Sequence, residues 1–295
     1  MIYRIVAIEN PAVLSFKNSQ LRIERDGEPA AQVPLEDMGV LLLGHAQISA
    51  TVPLLSACAE RNVAVIVSGP KHLPAGVFLP FEGNSLHTRV LREQIAASEP
   101  RRKRLWQGIV RSKITEQSSL LREVIGRDRG LSRLAPLVRS GDPENVEGRA
   151  ARIYFRLLFG AAFVRDRDLV GLNSMLNYGY AVLRAAVARA IVCAGMHPAL
   201  GVHHSNQYNP FALADDLMEP LRPLVDEHVF GMVQEGVGDE DELMPVVKRR
   251  LVAVLVRDVT WDGKRYPLST ALGYYAAAAR DWLTGREGSI PCPGR

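Results

Sequence analysis

The chain of 295 residues lacks a long apolar segment of the kind that crosses a membrane. A transmembrane helix needs about 20 consecutive apolar residues, whereas the longest uncharged stretch in the middle of the chain, residues 169–183, is shorter and contains two Asn. The N-terminal residues lack the basic start, apolar stretch and cleavage site of a signal peptide, and their pattern is typical of a strand. We therefore expect a cytoplasmic protein that does not contact a membrane.

Cysteine is also scarce. The three cysteines, Cys58, Cys193 and Cys292, lie far apart and form no pair with CxxC spacing. An odd and small number argues against a disulfide framework and is typical of proteins from the reducing cytosol. The missing CxxC pairs exclude a zinc site built from cysteines.

The net charge of +4 is small, but its distribution along the chain is uneven. Residues 89–139 hold 13 Lys and Arg against 5 Asp and Glu, whereas residues 201–245 hold 10 acidic residues and a single basic one. A basic region attracts polyanions and an acidic region holds cations, although both patterns also occur on the solvated faces of ordinary helices. Charge alone leaves these two interpretations open.

Residues 1–82 show the short, partly alternating apolar runs that are typical of β-strands. Asp26-Gly27 separates two of these runs and favours a tight hairpin turn, because Gly readily takes a positive φ. Helical spacing between the last two runs predicts one helix over 50–62. The strands are predicted at 2–8, 12–17, 20–26, 31–34, 40–43 and 63–67.

After the loop at 81–84 the periodicity becomes helical. Gly195 is predicted to end one helix in a left-handed conformation, and Asn209-Pro210 is predicted to begin another. The helices are predicted at 86–97, 100–125, 144–160, 173–194, 211–218, 223–233, 240–256 and 270–283. We therefore predict an α+β fold with two domains. A small β-rich N-terminal domain, 1–82, has exposed strand edges that favour dimerisation, and a larger, nearly all-α C-terminal domain, 83–295, carries the candidate functional residues.

Glu147 is the first of these candidates. On a helix it shares one face with Ala150, Tyr154 and Leu158, so its carboxylate lies on an apolar stripe. This position is costly unless the carboxylate is paired or binds a metal. The alternative is that Glu147 lies in the first helical turn, where the helix dipole favours an exposed acid.

Further candidates lie in the acidic region. The pair His203-His204 falls in a loop between two predicted helices, a common place for functional groups, although paired His also occur in ordinary loops. Asp215, Asp216 and Glu219 are grouped on the following helix, where they repel each other unless a cation, a nearby Arg or solvent relieves them. A solvated acidic face is the alternative here.

Two carboxylates and an imidazole from separate segments suit a divalent ion such as Mg²⁺ or Mn²⁺. Such an ion activates a nucleophile and stabilises charge at phosphorus. A basic region around an acidic metal pocket is expected of an enzyme that cuts or joins nucleic acid. The sequence therefore predicts a metal-dependent nuclease or integrase; the alternative is a non-catalytic nucleic-acid-binding scaffold whose acidic cluster is only a solvated surface.

Four ordered segments add a more specific signal: EGRAARIYF at 147–155, LNYGY at 176–180, AGMHPALG at 194–201 and HHSNQYNPFALADDLMEP at 203–220. In these segments the sequence resembles the CRISPR-associated integrases of spacer acquisition. The His-His pair and the ending DLMEP resemble the branch that belongs to type II CRISPR systems. The β-rich beginning and the helical remainder also fit, so the resemblance covers essentially the whole chain.

The resemblance implies a site and a reaction. The family's metal ligands correspond to Glu147, His204 and Glu219, which are therefore the expected catalytic and metal-binding residues; several relatives have Asp where Glu219 stands. His203 and Asp216 are candidates for an additional ligand or for orienting one. The implied chemistry is metal-dependent transesterification, in which a 3′-hydroxyl of a foreign DNA fragment attacks a phosphodiester at the border of the repeat. Water in place of that hydroxyl gives nuclease activity.

The resemblance also implies an assembly, in which a small CRISPR-associated partner protein bridges two homodimers on double-stranded DNA fragments and CRISPR repeat DNA.

The residues expected to contact DNA have alternative interpretations. For the densest basic run the alternative to DNA binding is a solvated surface, and for Tyr178 the alternative is a position in the core. Trp106 lies beside that basic run, and we expect its indole to pack in the core rather than to stack on an unpaired base. The residues expected to contact DNA are Arg101, Arg102, Lys103, Arg104, Arg149, Asn177 and Tyr178.

Overall fold

The structure is a computed structural model that describes residues 4–69, 74–81, 83–166, 169–237, 243–286 and 292–294. Strands dominate before residue 80 and helices after it, which confirms the α+β fold. The strands are β1 (Arg4–Ile8), β2 (Ala12–Lys17), β3 (Gln20–Glu24), β4 (Ala31–Pro34), β5 (Met38–Leu43), β6 (Ile48–Ala50), β7 (Ala64–Ser68), β8 (Pro74–Phe78), β9 (Asp258–Trp261) and β10 (Lys264–Pro267). The helices are α1 (Val52–Glu60), α2 (His87–Ile95), α3 (Glu99–Ile125), α4 (Val146–Phe159), α5 (Leu172–Cys193), α6 (Ala212–Met218), α7 (Arg222–Gln234), α8 (Pro245–Val252) and α9 (Leu268–Leu283).

The strands before residue 80 form two four-stranded sheets, ordered β1-β5-β7-β8 and β4-β3-β2-β6. In the first sheet β1, β5 and β7 are parallel and β8 is antiparallel to β7. The predicted hairpin is confirmed, since β3 and β4 pair antiparallel around Gly27, whose φ is +77°. The sequence analysis did not predict β6 and β8.

Strand β5 is apolar throughout because it is buried on both faces. Val40 and Leu42 pack in the large core of the helical region, whereas Leu41 packs in a smaller core between the two sheets and α1. The first sheet therefore separates the two cores and contributes side chains to both. The division at residues 82 and 83 stays a prediction, and residue 82 itself lies outside the described residues.

The helical region is arranged around α5, which is buried along most of its length and packs against α6, α7, α8 and α9. Gly179 allows the close approach of α7, since a Cβ at this position would lie 2.4 Å from a methyl group of Val225. Helix α3 crosses the same region and contacts both α4 and the short 3₁₀ turn Glu219–Leu221. This crossing brings distant parts of the chain together at the candidate site.

The helices lie close to their predicted bounds, and the helical region differs from the prediction in three respects. Gly195 has a φ of +85° directly after the end of α5, as predicted. The prediction that Asn209-Pro210 begins a helix is wrong, because the Asn209 side chain accepts a hydrogen bond from the Phe211 N–H at 3.0 Å and forms a turn before α6. The helix predicted over 240–256 begins at Pro245 and changes to a 3₁₀ turn after Val252, while 238–242 lie outside the described residues.

The third difference is an unpredicted hairpin, β9–β10, within the helical region. Asp262 and Gly263 both take positive φ at its turn, so the Asp-Gly signal that predicted the N-terminal hairpin operates here as well. None of the described helices is both long and apolar enough to cross a membrane.

Candidate active site

Glu147 lies in the first turn of α4, and local side chains fix the start of this helix. Asn145 has a φ of 49° and accepts a hydrogen bond from the Gly148 N–H at 3.0 Å. The Asp142 carboxylate accepts from the N–H groups of Val146 and Glu147, each at 3.0 Å. These contacts satisfy backbone donors that have no partner within the helix. They hold the Glu147 backbone in place while its side chain turns inwards.

The Glu147 carboxylate meets a cation from another helix. The Lys113 ammonium, on α3, donates to Oε1 of Glu147 and to Oε2 of Glu219. Arg222 forms an ion pair with the other oxygen of Glu219, with an N···O distance of 2.9 Å. Lys113 is 6% exposed and Glu219 is 5% exposed, so this cluster is buried. The interpretation of these acids as a solvated surface is therefore wrong for Glu219.

Burial and charge act in opposite directions on this cluster. Burial alone would raise the pKa of Glu219, but Arg222 and Lys113 outweigh it and lower that pKa below its usual value. Burial alone would lower the pKa of Lys113, but the two carboxylates outweigh it and raise that pKa. Both groups are therefore charged at neutral pH.

His204 is held by Asp216, which is completely buried. The Nδ1 atom of His204 lies 2.6 Å from Oδ1 of Asp216. The same carboxylate accepts hydrogen bonds from the backbone N–H groups of Val202, His203 and His204 at 2.6, 3.0 and 3.2 Å. The pKa of His204 is raised mainly by its hydrogen bond to Asp216, against the effect of burial. With both its oxygens occupied, Asp216 orients the imidazole and shapes the loop.

The loop needs glycine at position 201 to reach this arrangement. A Cβ at Gly201 would lie 2.3 Å from the His204 carbonyl oxygen and 3.0 Å from Oδ2 of Asp216. No side chain fits into that space without moving the backbone of the loop. Gly201 therefore belongs to the construction of the site, and it is the last residue of the segment AGMHPALG.

His203 takes a different position from its neighbour. Its ring stacks on the indole of Trp106, with centroids 4.1 Å apart and an angle of 1° between the planes. Burial lowers the pKa of His203. Trp106 is 3% exposed, which confirms that it packs rather than offering a face to a base. The contact fixes the His loop on α3.

The types of donor atom present at the site suit a divalent ion. Glu147 and Glu219 offer carboxylate oxygens, and the contact of His204 Nδ1 with Asp216 leaves Nε2 as the ligand atom, an arrangement common around metal-bound His. In the described part of the chain, however, no three His, Cys, Asp or Glu side chains converge as a complete ligand set. The Lys113 ammonium instead takes the cation position between the two carboxylates.

Lys113 is the main residue of the site that the sequence analysis missed. The buried side chains of α3 follow a helical pattern that includes Ile109, Val110, Ile114 and Gln117, and Lys113 lies in the middle of this pattern. A lysine on an apolar face signals a buried partner of opposite charge. That signal was available in the sequence.

A second buried network lies behind the first. The Asp226 carboxylate, on α7, accepts hydrogen bonds from the hydroxyl groups of Tyr154, at 2.8 Å, and Tyr180. Burial raises the pKa of Asp226 to about 6, against the effect of these hydrogen bonds. The Arg222 guanidinium lies over the Tyr180 ring, 4.8 Å from its centroid. The network therefore supports the arginine that contacts Glu219.

The four residues of the basic run have different surroundings. Arg101 donates to the Trp282 carbonyl oxygen at 2.5 Å, and Lys103 pairs with Glu99 at 2.6 Å. Arg102 is half-buried and lines a cavity of about 350 Å³ that reaches His204, whereas Arg104 is exposed. The run is therefore not one uniform basic surface, and its contact with DNA stays a prediction.

The other three predicted DNA contacts also differ. Arg149 is exposed but lies two residues from Glu147, so it faces away from the site. Tyr178 is completely buried, which favours the core position and leaves no surface for a base. Asn177 lines a cavity of about 290 Å³ together with several basic residues, among them Arg165 and Arg222. Of the three, Asn177 is thus the one placed beside the candidate site.

Comparison with known proteins now identifies the class. The model of the family "CRISPR associated protein Cas1" matches residues 5–245. The chain therefore belongs to the Cas1 family.

A curated relative and two solved structures support this family assignment. A curated relative from Neisseria meningitidis serogroup C (strain 8013), the CRISPR-associated endonuclease Cas1, is 40% identical over 290 residues, covering 97% of this chain and 94% of the relative. Among solved structures, a casposase bound to its integration product matches with a TM-score of 0.79 at 20% identity, covering 98% of this chain and 92% of that chain. A Cas6-RT-Cas1–Cas2 complex matches with a TM-score of 0.78 at 20% identity, covering 98% of this chain and 36% of that chain. Both structural matches show the same fold.

Proposed function

We propose that this protein is a metal-dependent DNA endonuclease and integrase that inserts foreign DNA fragments as new spacers into a CRISPR array. Membership of the Cas1 family and a relative described as an endonuclease support the nuclease activity. The fold shared with a casposase bound to its integration product supports the integration step. The observation that carries the metal dependence is the meeting of two carboxylates, Glu147 and Glu219, from separate elements at one buried cation position.

The proposed reaction is a transesterification. The 3′-oxygen of the fragment forms a bond to phosphorus as the P–O bond of the repeat strand breaks, while the attacking hydroxyl loses a proton and the leaving oxygen gains one. A bound Mg²⁺ or Mn²⁺ supplies Lewis acidity, which lowers the pKa of the hydroxyl and offsets charge on the phosphoryl oxygens. Glu147, Glu219 and Nε2 of His204 are the proposed ligands. Asp216 keeps His204 in the orientation that presents Nε2.

The proposed assembly is a pair of homodimers bridged by a small CRISPR-associated partner protein. The fold shared with a Cas6-RT-Cas1–Cas2 complex supports this partner, and the basic region supports binding to DNA fragments and repeat DNA. Sedimentation of the purified chain at tens of micromolar tests the dimer, and a species of 32.5 kDa would contradict it.

The test of the function compares two DNA ends. We expect a labelled duplex with a 3′-hydroxyl to be joined to repeat DNA when Mn²⁺ or Mg²⁺ and the partner protein are present, and a duplex with a 3′-dideoxy end to remain unjoined. Glu147→Gln should abolish joining and retain DNA binding, because phosphate contacts come from the basic region. Joining in the presence of EDTA would contradict the metal mechanism. DNA binding without cleavage of a branched DNA under any divalent ion would favour the scaffold alternative.

A further inference from the structure

Among the described residues two lysines are buried, and they differ in their partners. Lys248 lies 3.6 Å from one carboxylate, that of Glu9. Lys113 contacts two carboxylates from different elements, Glu147 and Glu219. A single buried ion pair contributes little to stability once the loss of hydration is counted. A lysine shared by two acids in the centre of the site therefore calls for an explanation beyond folding.

The charges of the cluster balance as it stands. Glu147 and Glu219 carry two negative charges, and Lys113 and Arg222 carry two positive ones. Buried charges need this compensation, because unpaired ions in a poorly hydrated interior are strongly unfavourable. A divalent ion added to the balanced cluster leaves two positive charges in excess and repels the ammonium, which already donates to both carboxylates.

We propose that Lys113 is a positioning residue that takes the cation position between Glu147 and Glu219 when no metal is bound, and that a divalent ion must displace its ammonium to bind there. The lysine thus holds the two carboxylates together in the metal-free protein and competes with the metal for them. This inference rests on the proposed metal site, but it concerns the residue that occupies the site rather than the reaction.

The competition has a measurable consequence. Lys113→Met removes the ammonium and leaves the cluster with a net negative charge, so a divalent ion gains the attraction of both carboxylates without displacing a competitor. Without metal, the same variant leaves two acids with less compensation and should unfold at a lower temperature than the wild type. Metal binding should then restore more stability to the variant than to the wild type, because a ligand stabilises the folded state according to its affinity.

The experiment measures Mn²⁺ binding to the protein alone, without DNA, by the electron paramagnetic resonance signal of free Mn²⁺, and thermal unfolding in EDTA and in Mn²⁺. We expect Lys113→Met to bind Mn²⁺ at least about tenfold more tightly than the wild type. Lys248→Met is the matched control, because it also removes a buried lysine from an acid and should leave the Mn²⁺ affinity unchanged. Lys113→Arg keeps a cation and should bind no more tightly than the wild type.

Two outcomes separate this inference from the proposed function. Equal or weaker Mn²⁺ binding by Lys113→Met, with wild-type binding that Glu147→Gln abolishes, overturns the role of Lys113 and leaves the metal site intact. Wild-type Mn²⁺ binding that is insensitive to Glu147→Gln and Glu219→Gln overturns the metal site itself. If Lys113→Met does not fold, Lys113→Gln tests the same point, since it removes the charge and keeps a hydrogen-bond donor.

Discussion

Glu219 and Asp226 are both buried carboxylates of the acidic region, seven residues apart, yet their pKa values are shifted in opposite directions. Glu219 faces two cations, Lys113 and Arg222, and its pKa is lowered. Asp226 faces two tyrosine hydroxyl groups, and its pKa is raised to about 6. Burial acts in the same direction on both, so the partners decide the outcome. The carboxylate whose negative charge its partners stabilise is the one suited to bind a metal, whereas the other accepts hydrogen bonds from two tyrosines and organises the packing around Arg222.

The largest expected effect is on DNA joining, and it should differ between variants of these two acids. Glu219→Gln should reduce metal-dependent DNA joining by more than about 100-fold, because it removes a proposed ligand. Asp226→Asn should reduce joining by less than about tenfold, because an amide oxygen still accepts a tyrosine hydroxyl. The measurement is the initial rate of joining at saturating Mn²⁺, with DNA binding as the control. Equal losses in both variants would show that the two carboxylates act as one unit.

The two neighbouring histidines extend the comparison from acids to imidazoles. His204 lies against the buried Asp216 and is 44% exposed, whereas His203 stacks on Trp106. His204→Ala should therefore reduce cleavage of a branched DNA by more than about 100-fold, and His203→Ala by less than about tenfold. The reverse order would show that His203 is the ligand. Combining His204→Ala with Glu147→Ala should add little further loss, since one missing ligand already disables the site.

Much of this arrangement could be predicted from the sequence, because it depends on local patterns. Strand alternation and helix periodicity predicted most elements, and the motif segments predicted Glu147, His204 and Glu219 as the metal ligands, a role that stays a prediction. The contacts of Lys113 could not be predicted in the same way, since its partners lie 34 and 106 residues away. Burial of Asp226 between two tyrosines likewise depends on how α4, α5 and α7 pack. Long-range charge pairing is set by tertiary packing, which a single sequence expresses weakly.

A smaller effect concerns the pH dependence of folding. The pKa of Asp226 is raised to about 6 from 3.8, so the folded state holds its proton more tightly than the unfolded state. This contribution to stability is fully present below pH 3.8 and is lost as the pH rises through 6. Its full size is about 3 kcal/mol. Asp226→Asn removes the dependence, so its stability relative to the wild type should increase between pH 4 and pH 7.

Urea unfolding of the wild type and of Asp226→Asn at several pH values measures this difference. Comparing the two proteins cancels the other titrating groups, including the histidines. Glu219→Gln provides the opposite case, because the lowered pKa of Glu219 contributes stability above its unfolded pKa that is lost on acidification. A constant difference between Asp226→Asn and the wild type across this range would mean that Asp226 remains ionised when buried.

The smallest expected effect concerns DNA binding by the four basic residues 101–104. It compares the two that have a hydrogen-bond or ion-pair partner in the structure with the other two. Arg101 is hydrogen-bonded to the Trp282 carbonyl oxygen and Lys103 pairs with Glu99, whereas Arg102 lines the cavity that reaches His204 and Arg104 is exposed. Each phosphate contact releases about 0.9 counterion, so replacing all four residues with Ala should flatten the slope of log K against log salt by up to about 3–4 units. The double variant Arg102→Ala/Arg104→Ala should account for about 2 of these units and exceed the effect of Arg101→Ala/Lys103→Ala. Fluorescence anisotropy of a labelled duplex at several salt concentrations measures the slopes. Equal slopes in both double variants would show that the partners seen in the structure do not restrain the cations, and an unchanged slope in the quadruple variant would place the DNA on another surface.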